Sequence, residues 1–216
     1  VLAGDYTTDE DGNITVTGSS AGGVGVQLGD GSAFAIGSGG GSITIEGTGI
    51  DAGVLMQGNQ VTSGGGAVSI TGTGATIGVS LEGSDIDSAG GGIDIDGIAS
   101  AAGGIGVSLY DAQLTGGAGD VIVRGTAAAG IGIQFGYGSA ISTTTGAIGL
   151  YGTGADFGLD IADGALDTDS GDITLEGTAT AATATAGVRV TGDGLVTNGG
   201  DITITGTSAG GVGVQL

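Results

Sequence analysis

An apolar-x-apolar triplet recurs along the chain, usually closed by glycine. It reads Ile14-Thr-Val16, Ile43-Thr-Ile45, Val68-Ser-Ile70, Ile93-Asp-Ile95, Val121-Ile-Val123, Ile148-Gly-Leu150, Ile173-Thr-Leu175 and Ile202-Thr-Ile204. Successive starts lie 29, 25, 25, 28, 27, 25 and 29 residues apart. A period of two places both aliphatic side chains on one face of a strand. Each unit carries a second triplet of the same kind: Val26-Gln-Leu28, Val54-Leu-Met56, Val79-Ser-Leu81, Val107-Ser-Leu109, Ile133-Gln-Phe135, Leu159-Asp-Ile161, Val188-Arg-Val190 and Val214-Gln-Leu216. A third segment supplies one apolar residue per unit, namely Val61, Ile86, Leu114, Ile141, Leu166 and Leu195, with Phe34 or Ile36 in the longest such segment.

Three short strands cannot bury their apolar faces alone, but stacked unit on unit they enclose a continuous aliphatic interior. The pattern predicts an all-β fold, a parallel β-helix or β-solenoid with three strands per coil and about eight coils of roughly 27 residues. Right-handed winding is expected from the strong bias of parallel crossovers. An antiparallel sandwich would not keep three strands at a near-constant unit length, and the 3.6-residue period of helices occurs nowhere. Length varies mainly between the first and second strands, where Ile98–Ile105 and Thr178–Ala186 are the longest insertions. Loops are expected at that corner, because closure entropy grows only logarithmically with length.

Residues 1–216 read as one continuous solenoid segment. A longer period lies on top of the coil: Gly12–Leu28 and Gly200–Leu216 agree at 14 of 17 positions, offset by 188 residues. The chain opens and closes in mid-coil without a polar cap, with Val1 just before the inward Leu2. It reads as an internal or mature segment that continues along the axis, as tandem modules or by end-to-end stacking of copies.

Composition sharpens this picture. There are 55 glycines and no Pro, Cys, His or Trp, and the two basic residues are Arg124 and Arg189. Glycine is expected to supply φ > 0 turns at corners such as Gly64-Gly-Gly66, Gly90-Gly-Gly92 and Asn198-Gly-Gly200. The net charge of −21 argues against nucleic acid and anionic membrane surfaces as partners, since both require Lys/Arg neutralisation. No apolar run approaches the roughly 20 residues that span a bilayer, which argues against membrane insertion. Without His or Cys there is no imidazole or thiolate metal site and no nucleophilic triad.

At Gly40-Gly-Ser-Ile-Thr-Ile45, Ser170-Gly-Asp-Ile-Thr-Leu175 and Gly199-Gly-Asp-Ile-Thr-Ile204 the chain resembles filamentous-haemagglutinin-type proteins and the giant β-strand-repeat adhesins of bacterial surfaces. The resemblance spans the whole chain and is one of composition and period. It implies secretion across a bacterial envelope and a structural or adhesive rod outside the cell. It carries no catalytic residues to this sequence. Partners implied are the protein itself, neighbouring filaments and surface glycans.

Other chemistries have specific candidates. Asp94 with Asp96, and Asp85 with Asp87, share outward faces, and paired carboxylates can hydrolyse glycosidic bonds. No Trp is present as a sugar platform, leaving Tyr6, Tyr110, Tyr137 and Tyr151. Solvated acidic faces are the simpler reading, so an enzyme is not expected. A calcium-binding matrix or surface-layer repeat protein is the alternative. Asp167-Thr-Asp169-Ser-Gly-Asp172 and Asp9-Glu-Asp-Gly-Asn13 have the oxygen-rich, Gly-containing look of calcium loops. Stacking places Asp172 beside Asp201, so Asp169, Asp172 and Asp201 are the candidate ligands and calcium the one candidate cofactor. Gly116-Gly-Ala-Gly-Asp120 is the only hint of a calcium-binding nonapeptide. Ice binding, which uses flat Thr-x-Thr ladders, is matched by Thr15/Thr17 and Thr203/Thr205 but interrupted by Glu46, Asp94, Asp96, Ile122, Arg124 and Tyr151. Finally, Asp96 and Arg124 share an outward slot in adjacent coils, as do Asp160 and Arg189. Both pairs are expected as exposed salt bridges worth about 0–1 kcal/mol each.

Overall fold

The computed structural model describes residues 6–8, 11–29, 35–192 and 194–216. Leu2, Phe34 and the first two residues of the Asp9–Asn13 loop lie outside them. Every regular element among the described residues is a β-strand, and every strand pairing is parallel. The chain winds through three faces and stacks them into a β-solenoid.

The first face is built from Ile14–Ser19, Ile43–Thr48, Val68–Gly74, the leading half of Ile93–Tyr110, the leading half of Val121–Gly136, Ile148–Gly154, Ile173–Ala179 and Ile202–Ser208. Each begins at the first residue of its apolar triplet. Equivalent residues pair from coil to coil, Ile43 with Val68, Val68 with Ile93, and so on to Ile173 with Ile202. The second face stacks Val26–Leu28, Ala52–Gln57, Ile77–Glu82, the trailing halves of the two long strands, Phe157–Ala162, Ala186–Thr191 and Val212–Gln215. The third is an eight-stranded sheet running from Tyr6–Thr8 and Ala35–Ser38 to Leu195–Thr197.

The core is the column of inward aliphatics. Ile45, Ile70, Ile95, Val123, Leu150 and Leu175 are fully buried, as are Val54, Val79, Val107, Ile133, Leu159 and Val188 opposite them. Ile36 fills the third-face position of its coil, pairing with Val61. Burying one such side chain is worth about 1.5–3 kcal/mol, and the column is unbroken from coil to coil. Where the third face turns into the first, buried hydroxyls satisfy turn carbonyls: Thr143 donates to Gly146 O at 2.6 Å, and Ser38 and Ser63 donate to Gly41 O and Gly66 O.

Two expectations are corrected here. The insertion Ile98–Ile105 is not a loop. Ile93–Tyr110 and Val121–Gly136 each pass from the first face to the second as one strand, with register shifts between Ala99, Ala102 and Ile105. Small residues continue the alternation there, so added length is absorbed as bulged strand. The other insertion does leave the sheet, between Ala179 and Ala186.

The second correction concerns glycine. Gly65, Gly90 and Gly92 have positive φ as expected, but Gly64, Gly66, Gly199 and Gly200 do not. Most of the patterned glycine serves close approach instead. Gly18, Gly47, Gly72, Gly97, Gly125, Gly152, Gly177 and Gly206 form one axial column on the first face. A Cβ on any of them would overlap the carbonyl oxygen of Gly25, Gly53, Gly78, Gly106, Gly132, Gly158, Gly187 or Gly213 on the second face. The two sheets converge on this double column until backbone meets backbone.

Candidate functional site

The first face presents three outward columns. The last two along each strand flank the glycine column. One is Thr17, Glu46, Thr71, Asp96, Arg124, Tyr151, Glu176 and Thr205; the other is Ser19, Thr48, Thr73, Ile98, Thr126, Thr153, Thr178 and Thr207. Shallow solvent-open troughs run between them, one lined by Thr17, Glu46, Thr48, Thr71 and Thr73, another by Arg124, Thr126, Tyr151, Thr153 and Glu176. The interruptions to a threonine lattice therefore stand on this face as expected. The second, nearly pure hydroxyl column was missed because each strand was read as a triplet, although Gly-Thr follows most triplets in the sequence.

Register places both Arg–Asp pairs correctly, Asp96 beside Arg124 and Asp160 beside Arg189. The bond made by Arg124 is different. Its guanidinium reaches two residues back along the neighbouring strand to Asp94, Nη1 to Oδ1 at 2.7 Å, with Cζ 5.9 Å from the Tyr151 ring centre. An arginine stem outreaches one rung, so the partner is chosen by lean rather than by register. Both groups are exposed, and the pair is worth about 0–1 kcal/mol.

The second pair is not an exposed bridge. Asp160 is 5% exposed and receives both Nε and Nη2 of Arg189, at 2.7 and 2.6 Å. The guanidinium also lies 4.2 Å from the Phe157 ring centre. The hydrogen bonds to Asp160, and then its charge, hold the Arg189 pKa above the ordinary value, against the lowering by partial burial. Arg189→Met would strand a buried carboxylate and should cost about 1–3 kcal/mol, whereas Arg124→Met should cost less than about 0.5 kcal/mol. Thermal melts of the two variants check this; equal losses would contradict the burial argument.

The calcium candidates are only partly brought together. Asp172 does stand beside Asp201, since Ile173 pairs with Ile202, but its Oδ1 accepts the Asp201 backbone N–H at 2.8 Å. Asp120 does the same for Ala147 and the Asn13 side-chain oxygen for Ser42, both at 2.8 Å. The side chain before the first face thus serves as a coil-to-coil cap in at least three places, a role visible in the sequence only as recurrent Asn/Asp there. Asp169 does not join Asp172 and Asp201 in a metal-holding group; among the described residues no three acidic side chains form one. Of the proposed acid pairs, Asp94 is held by Arg124, and Asp87 Oδ1 accepts the Ala89 N–H at 2.8 Å in a tight turn. Of the four tyrosines, Tyr110 and Tyr137 come together, their ring centres 5.0 Å apart.

Compared with known proteins, the chain matches no family model, no curated protein and no solved structure.

Proposed function

We propose that this chain is a structural and adhesive rod segment of a bacterial cell-surface protein, working outside the cell. The observation that carries the reading is the continuity of the stack: one dry aliphatic column passes through the coils while nearly every ionised group points outward. A stack of this kind sets length and displays faces, and Asp87, Asp94, Asp120, Asp160 and Asp172 are committed to caps, a turn or arginines.

Self-association along the axis is part of the proposal. Gly12–Leu28 and Gly200–Leu216 are nearly the same sequence, and both occupy the same places in the coil. Their cross-sections are interchangeable, so the coil pattern can be extended by tandem modules or by copies stacked end to end. The charge of −21 keeps rods apart laterally at neutral pH and low salt. Acid, by protonating the carboxylates, or calcium, by bridging them, should bring rods side by side. Negative-stain imaging with light scattering across pH and added calcium tests both parts. Long thin particles that bundle in acid or calcium are expected. A compact monomer under every condition would overturn the axial half, and bundling indifferent to pH and calcium the electrostatic half.

A further inference from the structure

At the corner that follows the second face, one residue per coil takes a left-handed backbone conformation. It is Gly58 and Gly83 in the second and third coils and Gly192 in the seventh. In the three coils between, the same place holds Asp111 (φ 51°), Tyr137 (φ 53°) and Asp163 (φ 55°). Glycine takes that conformation without steric cost and Asp tolerates it, whereas a bulky side chain such as that of Tyr137 is strained in it. Tyr137 therefore accepts strain at a place that glycine fills in other coils, which points to its side chain as the reason. Backbone bonds from coil to coil hold the corner, Asp111 N–H to Tyr137 O at 3.1 Å and Gly138 N–H to Asp163 O at 3.2 Å.

Those side chains make one surface patch. Tyr137 stands between Asp111 and Asp163 along the stack. Tyr110 lies one residue before Asp111 and pairs in register with Glu82 on one side and Gly136 on the other. Gly136 has no side chain to separate the rings, so Tyr110 and Tyr137 stack at 5.0 Å with 30° between their planes. The two residues remain 52% and 65% exposed. Asp111 and Asp163 are exposed and Glu82 is half-buried. The chain has no cation of its own to neutralise them: Arg124 and Arg189 are bound to Asp94 and Asp160, and there is no Lys or His.

We propose that the Tyr110–Tyr137 pair, flanked by Glu82, Asp111 and Asp163, is a docking site for a basic polypeptide segment. An arginine or lysine side chain meets the electron-rich ring face and the carboxylates together, two attractions that reinforce each other. A neutral glycan can use the rings but brings no charge for the carboxylates to meet, and an acidic polymer is repelled. The surrounding field of a chain with net charge −21 steers basic partners toward the patch. The site goes beyond the rod reading and does not depend on axial assembly.

The test is calorimetric titration of the whole chain with an arginine-rich peptide, an uncharged peptide of equal length and a neutral oligosaccharide, at low and high salt. Binding of the basic peptide alone, weakened by salt, is expected. Tyr110→Ala and Tyr137→Gly should each weaken it about tenfold, and Tyr137→Phe should keep it. Because glycine suits the backbone at 137, Tyr137→Gly should melt within about 3 °C of the parent. Basic-peptide binding that ignores both tyrosine variants would overturn the site in favour of diffuse charge attraction. Equal or tighter binding of the oligosaccharide would overturn the cationic partner. A large drop in melting temperature for Tyr137→Gly would show that the tyrosine serves the fold.

Discussion

Ile95→Asp is expected to unfold the middle of the stack. Ile95 has no exposed surface and pairs with Ile70 and Val123 in the adjoining coils, so the new carboxylate would face aliphatics from three rungs. An unpaired charge in such a place costs several kcal/mol, about 4 kcal/mol or more, which is a large part of an ordinary domain's stability. Val107→Asp should do the same from the second face, where Val107 is equally buried. Ser108→Asp should cost far less, because Ser108 points outward and is only half-buried between Ser80 and Gln134, so the carboxylate can reach water. Chemical denaturation and circular dichroism of the three variants measure the contrast. Equal tolerance at the three sites would contradict the assignment of inward and outward positions.

Gly97→Ala should be nearly as damaging, although alanine is among the smallest of changes. Its Cβ would fall on the Gly106 carbonyl oxygen and within 2.7 Å of the Val107 side chain. Backbone on both sides is fixed by the ladders, so neither sheet can retreat without breaking pairs in adjoining coils. We expect a loss of about 3 kcal/mol or more, at the upper end of overpacking effects. Gly22→Ala is the control, since a Cβ there meets nothing within 4 Å, and should change stability by less than about 0.5 kcal/mol. Similar effects at both positions would show that the glycine column is not a close-packed seam.

Much of this architecture is legible in the sequence because one physical signal repeats. Inward aliphatics at period two, returning every coil, fix the strand starts, the three faces and the register, down to Ile141 in a unit of irregular spacing. Between Phe34 and Ile36 the pattern leaves the choice open, and Ile36 is the residue seen pairing with Val61. What was not legible follows from effects that act between faces rather than along a strand. The glycine seam is written plainly, as a Gly two places after each first triplet and another immediately before each second triplet. Its meaning depends on how near the two sheets come, which no single strand reveals. Asp160 reads as a surface acid because its slot is outward; it is buried by the guanidinium that covers it. Arg124 selects Asp94 over Asp96 by the reach of its stem, which register alone does not set. At the calcium candidates, stacking was legible but the backbone N–H that occupies Asp172 was not. The tyrosine patch needed backbone angles to be seen, since Asp111, Tyr137 and Asp163 share a place with Gly58, Gly83 and Gly192 only once the corners are aligned.

The most direct test of the stacked-coil account is a distance along the rod. The chain has no cysteine, so Thr71→Cys with Thr205→Cys takes spin labels at two chosen positions without further substitution. Both side chains are exposed in the same outward column, linked in register through Asp96, Arg124, Tyr151 and Glu176. Five strand spacings separate them, so electron–electron dipolar spectroscopy should give one narrow distribution near 24 Å between the backbone positions, about 4.8 Å per coil. A broad distribution, or a mean corresponding to only one or two coil spacings, would contradict the solenoid and everything built on its register.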